Sequence, residues 1–552
     1  MECLRGALSR GGRFYATLGR RAGAFAQPAR GGGRKARMRQ AGAEVALLWS
    51  LALCSFGCAG ESEPAPAPTT ELADSDWRLH GRTPDEQRHS PLAQIQRGNV
   101  AELGVAWSFA TGTHRGLEAT PLVIDGVLYA TGSWSVVVAL DAATGRELWR
   151  YDPQVPRWKG RDACCDVVNR GVAYLDGRIY VGTIDARLVA LAADTGDVVW
   201  EVRTAPLELP YTITGAPRIV KDKVMIGNGG AEYGVRGYVS AYSAMTGALA
   251  WRFYTVPASH AGPHEHLEVA RAAQTWPANA LWESGLGGTV WDSMAYDAEL
   301  DLLYVGTGNA SVYHREHRSP GGGDNLYLSS ILALRPDMGS LVWYYQTTPG
   351  DHFDYTATQH ILLADLEIEG RARKLLLQAP KNGFFYVLDR ETGELLSAEK
   401  YVHASWASHV DLETGRPQER AEAQWEGMPE GAVVAPAAVG GHNWHPMSFH
   451  PGTGLVYLPS IETADLWIPD PEFRLRPHTY NTGQDWGATV AEFEGFEELV
   501  ALPCGRTRLV AWDPRAGERA WEVRHDSGVP GGVLSTAGGL VFQGNGSGRF
   551  SA

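Results

Sequence analysis

The sequence predicts an all-β propeller assembled from four-stranded antiparallel blades, and two observations carry this prediction. A block of similar residues recurs, with ALDAATGRELW ending at Trp149, ALAADTGDVVW at Trp200 and AYSAMTGALAW at Trp251. Glycine (65 residues) and proline (31 residues) are abundant among the 552 residues, which is typical of short strands joined by many turns. A unit that returns at intervals of 51 residues therefore indicates a repeat architecture in which each unit is one blade.

Each copy of the block predicts a strand, a tight turn and a second strand. Further copies are ALRPDMGSLVW, VLDRETGELL and AWDPRAGERAW, and in the five full copies a glycine precedes the tryptophan by four residues. Upstream segments such as PLVIDGVLYATG and GVAYLDGRIYVG add an Asp-Gly hairpin signal. We expect the repeated tryptophans to fill the gap between neighbouring sheets and so to dock the blades.

The end of the chain resembles the beginning of another unit. The segment GGLVFQGNGSGRFSA lacks the Asp-x-x-Thr-Gly half of the block that should follow. A propeller that ends here would leave an open sheet edge. We therefore expect the sequence to be truncated at its C-terminus, with the last blades incomplete.

The first 58 residues are interpreted as an upstream extension followed by a signal peptide. The apolar run at 45–56 is too short to span a bilayer and fits the hydrophobic region of an export signal. Cys58 follows this run, and both lipid attachment at Cys58 and simple cleavage nearby remain open. Residues 59–75 are a Pro/Ala-rich tether, and residues 76–552 form the propeller. These features predict a periplasmic protein, with membrane anchoring through Cys58 as one alternative.

Composition excludes several classes of function. The formal net charge of −14 argues against a nucleic-acid-binding surface. The six cysteines form neither a CxxC nor a CxxCH motif, which argues against a thiolate zinc site and against haem c in this chain.

Motifs along the propeller resemble one enzyme family. In order they are DWRLHGRTPDEQRHSPLAQI, ACCDVVNRG, GAEYGVRG, GGTVWDSMAYD, YVGTGN, GDHFDYTATQ, KNGFFYVLDR and GHNWHPMSF. The chain thereby resembles the pyrroloquinoline quinone (PQQ)-dependent dehydrogenases of the methanol and ethanol dehydrogenase type. The segment GHNWHPMSF resembles the corresponding segment of the quinohaemoprotein branch, whose members carry a C-terminal cytochrome domain. The resemblance implies eight blades, and it implies that haem c would belong to a C-terminal domain absent from this sequence.

The resemblance implies a metal site made of Glu232, Asn309 and Asp354. Carboxylate and amide oxygens suit a hard cation. Family members that use lanthanides carry a further carboxylate two residues after the catalytic aspartate, where this chain has Thr356. We therefore expect one calcium ion, with Asp354 also acting as the general base.

Further residues match family positions that bind the cofactor. A disulfide between the adjacent Cys164 and Cys165 would cover one face of the quinone and Trp291 the other, although two buried free thiols remain an alternative. Lys381 would lie at the quinone oxygens. The remaining matches, at the carboxylates and carbonyls of PQQ, are Glu118, Arg170 and Thr214.

The implied activity is oxidation of a primary or secondary alcohol, or an aldehyde. Hydride would pass to PQQ with calcium as Lewis acid, and electrons would then pass to cytochrome c or to a quinone. Two alternatives stay open from sequence alone. One is a non-catalytic propeller lipoprotein scaffold of the outer-membrane assembly type, and the other is an inactive, truncated dehydrogenase.

Overall fold

The computed structural model describes residues 74–492, 506–525 and 529–552. The predicted signal peptide, Cys58 and residues 59–73 of the predicted tether lie outside the described residues.

The described residues form seven four-stranded sheets, which we number as blades 1 to 7. The strand closest to the N-terminus, β1 (His89–Ser90), belongs to blade 7. Blades 1 and 2 contain β2 (Leu122–Ile124), β3 (Val127–Thr131), β4 (Val137–Asp141), β5 (Glu147–Tyr151), β6 (Ala173–Leu175), β7 (Arg178–Gly182), β8 (Arg187–Ala192) and β9 (Val198–Arg203). Blades 3 and 4 contain β10 (Arg218–Val220), β11 (Lys223–Gly227), β12 (Tyr238–Ser243), β13 (Leu249–Tyr254), β14 (Met294–Asp297), β15 (Leu302–Gly306), β16 (Ser330–Leu334) and β17 (Leu341–Gln346).

Blade 5 contains β18 (Ile361–Ile368), β19 (Arg371–Gln378), β20 (Phe384–Asp389) and β21 (Leu395–Lys400). Two small two-stranded sheets lie outside the blades. One is the hairpin of β22 (Ala407–Asp411) and β23 (Arg416–Glu419), and the other pairs β24 (Ala432–Val434) with β27 (Asp465–Trp467), which is more distant in the chain. Blade 6 contains β25 (Ser448–His450), β26 (Leu455–Glu462), β28 (Arg506–Asp513) and β29 (Glu518–His525). Blade 7 adds β30 (Pro530–Thr536), β31 (Val541–Asn545) and β32 (Phe550–Ser551) to β1.

The expectation of eight blades is wrong, because the described residues form seven. The last unit receives its fourth strand from the other end of the chain: β1 pairs in parallel with β30, with His89 opposite Ser535. This sheet therefore has four strands, three from the C-terminal part of the chain and one from the N-terminal part. The number of blades followed from the family resemblance and not from counting the units in this sequence.

Helices are few and short in the described part of the chain: α1 (Leu267–Ala273), α2 (Arg315–Arg318) and α3 (Trp486–Glu492). The same residues contain seven 3₁₀ turns between strands, at Val100–Glu102, Ser133–Ser135, Arg157–Asp162, Ala231–Tyr233, Trp282–Ser284, Ala421–Ala423 and Trp425–Gly427. Within the described ranges, no helix has the length and apolar character that crossing a membrane requires.

The repeated tryptophans join blades 1 to 5, each blade to the next. Trp149 of blade 1 donates its indole N–H to the carbonyl of Ala193 in blade 2 at 2.9 Å. Its ring covers Gly196, where a Cβ atom would lie 2.6 Å from the indole. Trp200, Trp251 and Trp343 repeat this arrangement on the glycine of the following blade. The docking role predicted for these tryptophans is therefore seen at four successive interfaces.

The interface between blades 5 and 6 is built differently. The register position of the docking tryptophan in blade 5 is occupied by Ser397, which pairs with Val387. Gly517 of blade 6 therefore faces Glu399 rather than an indole. The stacked rings of Phe385 and Trp512, 5.4 Å apart, fill the gap between the two sheets instead.

Strand direction places every predicted site residue at one end of the propeller. In an antiparallel blade, the turn between the second and third strands lies at the same end as the connection from the fourth strand to the next blade. Nine of the ten residues fall in such segments: Cys164, Cys165, Arg170, Thr214, Glu232, Trp291, Asn309, Asp354 and Lys381. Glu118 lies just before β2, the first strand of blade 1, and its ion pair with Arg170 places it at the same end. Residues far apart in the sequence therefore share one loop-bearing face.

Candidate active site

Asp354 and Lys381 form an ion pair at this face. The Lys381 Nζ lies 2.9 Å from the Asp354 Oδ2, and both side chains are largely buried. Asp354 lies in the connection between blades 4 and 5, and its φ of +60° is unusual for a residue other than glycine. Lys381 comes from the turn between β19 and β20 of blade 5. A rare backbone conformation thus presents the carboxylate to a buried ammonium group.

Glu232 and Asn309 form a second pair beside it. The Asn309 Nδ2 donates to the Glu232 Oε1 at 2.7 Å, and the Tyr313 hydroxyl donates to the same oxygen at 3.0 Å. Glu232 is held by a single 3₁₀ turn between two glycines in the left-handed region, Gly230 and Gly234. The two donors fix the carboxylate of Glu232, and they leave the Asn309 Oδ1 as an acceptor.

The electrostatics show that these two pairs belong to one site. Burial raises the pKa of the Asp354 carboxyl to about 8, and the Lys381 ammonium opposes this rise. The nearby negative charge of Glu232 raises the same pKa further. When both carboxylates are ionised, they outnumber the one ammonium group, and a bound cation would balance the excess negative charge.

The donor set fits a hard divalent cation. Two carboxylates and one amide oxygen are the ligand types that calcium takes, and calcium needs further oxygens to complete its shell. No group of three or more His, Cys, Asp or Glu side chains suited to a metal occurs in the described ranges. Thr356 is buried and exchanges hydrogen bonds with Gln359 at 2.9 and 3.0 Å. Because threonine has no carboxylate, this position adds no third acid to the site. The residues therefore fit a hard divalent cation such as calcium, provided that further oxygens complete its shell.

Arg170 organises a second group of predicted residues. Its guanidinium lies 2.8 Å from the Glu118 Oε2, donates to the Thr214 Oγ1 at 2.9 Å, and stands 4.9 Å from the centre of the Trp291 ring system. The Arg170 Nε is buried without a hydrogen-bond partner. Burial raises the pKa of Glu118, although Arg170 counteracts the shift. An unused donor over an aromatic face is a place for an acidic, planar ligand.

The glycine-rich loop of blade 3 links the two groups. Gly229 pairs with Thr212 in a bridge close to Thr214, and a Cβ at Gly229 would lie 3.9 Å from the Cβ of Trp291. Glu232 follows three residues later in the same loop. Trp291 thus lies between the Arg170 group and the Glu232 group.

Cys164 and Cys165 are joined in a disulfide, with their Cα atoms 3.8 Å apart. The pair lies in the loop that leads to Arg170, and Cys165 is exposed. No side-chain hydrogen bond or ion pair connects the disulfide to either group among the described residues. Its predicted place over a cofactor stays a prediction.

Three residues near these groups were not predicted from the sequence. Tyr313 binds Glu232, Trp444 lies 5.6 Å from the Arg170 guanidinium, and Asp351 accepts the backbone N–H groups of Phe353 and Tyr355. Asp351 precedes Asp354 by three residues, so a search for Asx turns around the predicted base would have found it. Trp444 lies in the quoted motif GHNWHPMSF, but no site role was predicted for it there, and no spacing or motif distinguishes Tyr313.

Comparisons with known proteins test the family that the motifs predict. The family model "PQQ: Glucose/ethanol/alcohol dehydrogenase, beta-propeller domain" matches residues 77–405. The chain is 54% identical over 508 residues to the quinohemoprotein alcohol dehydrogenase ADH IIB of Pseudomonas putida, covering 92% of this chain and 72% of that protein. It is 45% identical to the 1-butanol dehydrogenase (cytochrome c) of Thauera butanivorans, covering 88% of this chain and 70% of that protein.

A solved structure of the quinohemoprotein alcohol dehydrogenase ADHIIG from Pseudomonas putida HK5 matches with a TM-score of 0.82 at 51% identity. This match covers 86% of the chain and 70% of that structure. The family resemblance predicted from the motifs is thereby confirmed, and the dehydrogenases among the relatives favour an enzyme over a scaffold. The chain belongs to the PQQ-dependent alcohol dehydrogenase family.

Proposed function

We propose that this chain oxidises alcohols with PQQ and one calcium ion, and that Asp354 is its general base. The observation that carries the proposal is the buried Asp354–Lys381 pair at 2.9 Å, electrostatically coupled to the Glu232–Asn309 pair. PQQ, when bound, supplies the hydride acceptor, and the calcium ion supplies a Lewis acid.

Each residue of the pair has a distinct task in this reaction. The Asp354 carboxylate takes the hydroxyl proton of the alcohol at an Oδ atom, which requires that it be ionised. Because burial raises its pKa to about 8, the carboxylate needs positive charge nearby to stay ionised at neutral pH. The Lys381 ammonium supplies part of that charge, and a cation held by Glu232 and Asn309 would supply the rest.

The Arg170 group would hold the cofactor. Arg170 can donate to a cofactor carboxylate through its unused Nε, while Thr214 and Glu118 offer polar contacts beside it. Trp291 presents a flat aromatic face, as stacking on a tricyclic ring requires. The Cys164–Cys165 disulfide would cover the opposite face.

Electrons would leave the site to cytochrome c or to a quinone. One relative is named for cytochrome c, and others are named quinohemoproteins, which supports a haem acceptor. Haem c would be bound outside these 552 residues, because the sequence has no CxxCH motif. The upstream extension and signal peptide predicted at 1–58 would support a periplasmic location, and mass spectrometry of the mature N-terminus would decide whether Cys58 carries lipid.

Reconstitution tests this proposal against its alternatives. Purified protein is loaded with PQQ and calcium, and dye reduction is measured with a panel of primary alcohols, secondary alcohols and aldehydes. Alcohol-dependent dye reduction that requires both additions is the expected result. Cofactor uptake without turnover would show an inactive dehydrogenase, and no cofactor uptake would show a non-catalytic scaffold.

A further inference from the structure

Arg318 is a fully buried cation whose role the proposed function does not assign. Its relative exposure is 0%, and burial lowers the pKa of its guanidinium to about 10. Burying a charge is costly unless the surroundings satisfy it. The structure satisfies Arg318 with four backbone carbonyls and one amide oxygen rather than with a carboxylate ion pair.

All three guanidinium nitrogens of Arg318 take part in this network. The Nη1 donates to the carbonyls of Val312 and Tyr313, the latter at 3.0 Å. The Nη2 donates to the carbonyls of Gly350 at 3.3 Å and Asp351 at 2.9 Å. The Nε and Nη2 both reach the Asn325 Oδ1, at 3.3 and 3.1 Å. The planar fork thus joins two chain segments at fixed separation.

These two segments carry opposite sides of the proposed cation site. The first follows Asn309 and contains Tyr313, whose hydroxyl holds the Glu232 carboxylate at 3.0 Å. The second leads directly to Asp354. A shift of one segment against the other would therefore change the distance between the Glu232–Asn309 pair and the Asp354 carboxylate.

Asp351 carries this connection to the base. Its Oδ1 accepts the backbone N–H groups of Phe353 at 3.2 Å and Tyr355 at 2.9 Å, on either side of Asp354. These bonds form the turn in which Asp354 adopts a φ of +60°. Because Arg318 donates a hydrogen bond to the Asp351 carbonyl, it fixes the residue at which this turn begins.

We propose that Arg318 is a positioning residue that sets the spacing between the Glu232–Asn309 pair and Asp354, and so pre-forms the calcium site. The inference rests on the proposed function. An apolar residue could fill the same volume, but it would leave four carbonyls without donors and the two segments without a link. A lysine would keep the charge but could not reach both segments with its single nitrogen.

Calcium affinity of the PQQ-loaded protein, measured by isothermal titration calorimetry, tests the proposal. The variants are Arg318→Lys and Arg318→Met. The matched control is Arg390→Met, because Arg390 is also buried but lies in the turn between β20 and β21, at the opposite end of the propeller. Arg390 pairs with Asp297 and lies outside the catalytic and binding groups.

We expect both Arg318 variants to weaken calcium binding about 10- to 100-fold, the range typical of residues that orient metal ligands. The kcat should fall with it, while the KM for alcohol changes less than about threefold, because substrate contacts are kept. Arg390→Met should lower thermal stability but leave calcium affinity within about twofold of the wild type, since it acts through folding alone.

Calcium affinity of the Arg318 variants within twofold of Arg390→Met would overturn the proposal. Should Arg318→Met not fold, Arg318→Lys decides, because it keeps the buried charge. Failure of the proposed function has a different signature, which is wild-type protein that takes up no calcium. If only the positioning role fails, the wild-type protein binds calcium and the Arg318 variants bind calcium with the same affinity.

Discussion

The docking of tryptophan on glycine predicts the cost of one added methyl group. In the substitution Gly196→Ala, the new Cβ would lie 2.6 Å from the ring of Trp149, and the backbone φ at this position is +77°. Gly177 is a matched control, because its φ is +75° but nothing lies within 4 Å of a Cβ there. Both substitutions carry the same backbone strain, and only Gly196→Ala collides with the indole.

The magnitude follows from these two contributions. A non-glycine residue in the left-handed region costs about 1 to 2 kcal/mol, which applies to both variants. Overpacking against a tightly packed side chain adds about 1 to 3 kcal/mol, which applies to Gly196→Ala alone, where the partly buried Trp149 ring is met. We therefore expect Gly196→Ala to lower the free energy of unfolding by about 1 to 3 kcal/mol more than Gly177→Ala.

Urea unfolding followed by circular dichroism measures this difference. The double variant Trp149→Ala/Gly196→Ala completes a cycle, because removing the ring should remove the penalty of the added methyl group. Equal destabilisation by Gly196→Ala and Gly177→Ala would refute the reasoning. It would mean that the tryptophan does not hold the blades at this interface.

Two further substitutions test the site, and a third tests the ion pair of Glu426 with His352. Lys381→Met removes the ammonium 2.9 Å from Asp354 and should lower kcat about 10²- to 10³-fold in the dye assay, whereas an unchanged kcat would exclude Lys381 from the chemistry. Thr356→Asp adds a carboxylate near Asp354 and should raise the ratio of lanthanum affinity to calcium affinity about tenfold or more in a competition titration. The reason is that a third carboxylate favours the ion of higher charge. An unchanged ratio would contradict this prediction. Burial raises the pKa of Glu426, but His352 and Arg315 outweigh it and lower the pKa from its ordinary 4.5 to about 2. The contribution of ionised Glu426 to stability is therefore complete above pH 4.5 and is lost as the pH falls towards 2. Glu426→Gln should flatten the decline of the unfolding free energy in that interval. An unaltered pH profile would count against the pairing.

Local sequence signals predicted the fold well where each unit carries its own turn chemistry. The Asp125-Gly126 and Asp176-Gly177 hairpins adopt positive φ at both residues, as the pairs predict. The docking tryptophans were visible because their spacing repeats. Trp107 shows the limit: it covers Gly145 and donates to the Ala142 carbonyl at 3.1 Å, yet no glycine stands four residues before it.

Long-range pairing was not predictable in the same way. The parallel pairing of β1 with β30 joins residues 446 positions apart, His89 and Ser535, and two strand residues carry too little pattern to reveal it. The blade count therefore came from the family and was wrong. The interface without a tryptophan, where Phe385 meets Trp512, depends on partners that no repeat marks.

The candidate site shows the same difference between local motifs and long-range contacts. Motif context identified Glu232, Asn309, Asp354 and Lys381, and the structure brings them together in two coupled pairs. It could not identify Arg318 or Tyr313, because their roles arise from hydrogen bonds between segments that only the folded chain brings together.

A crystal structure of the protein with PQQ and calcium, with the ion located by its anomalous signal, would test the central claim most directly. The account predicts a single ion bound by oxygens of Glu232, Asn309 and Asp354, with Lys381 beside the quinone oxygens. An ion bound elsewhere, or cofactor density away from Trp291 and Arg170, would contradict it.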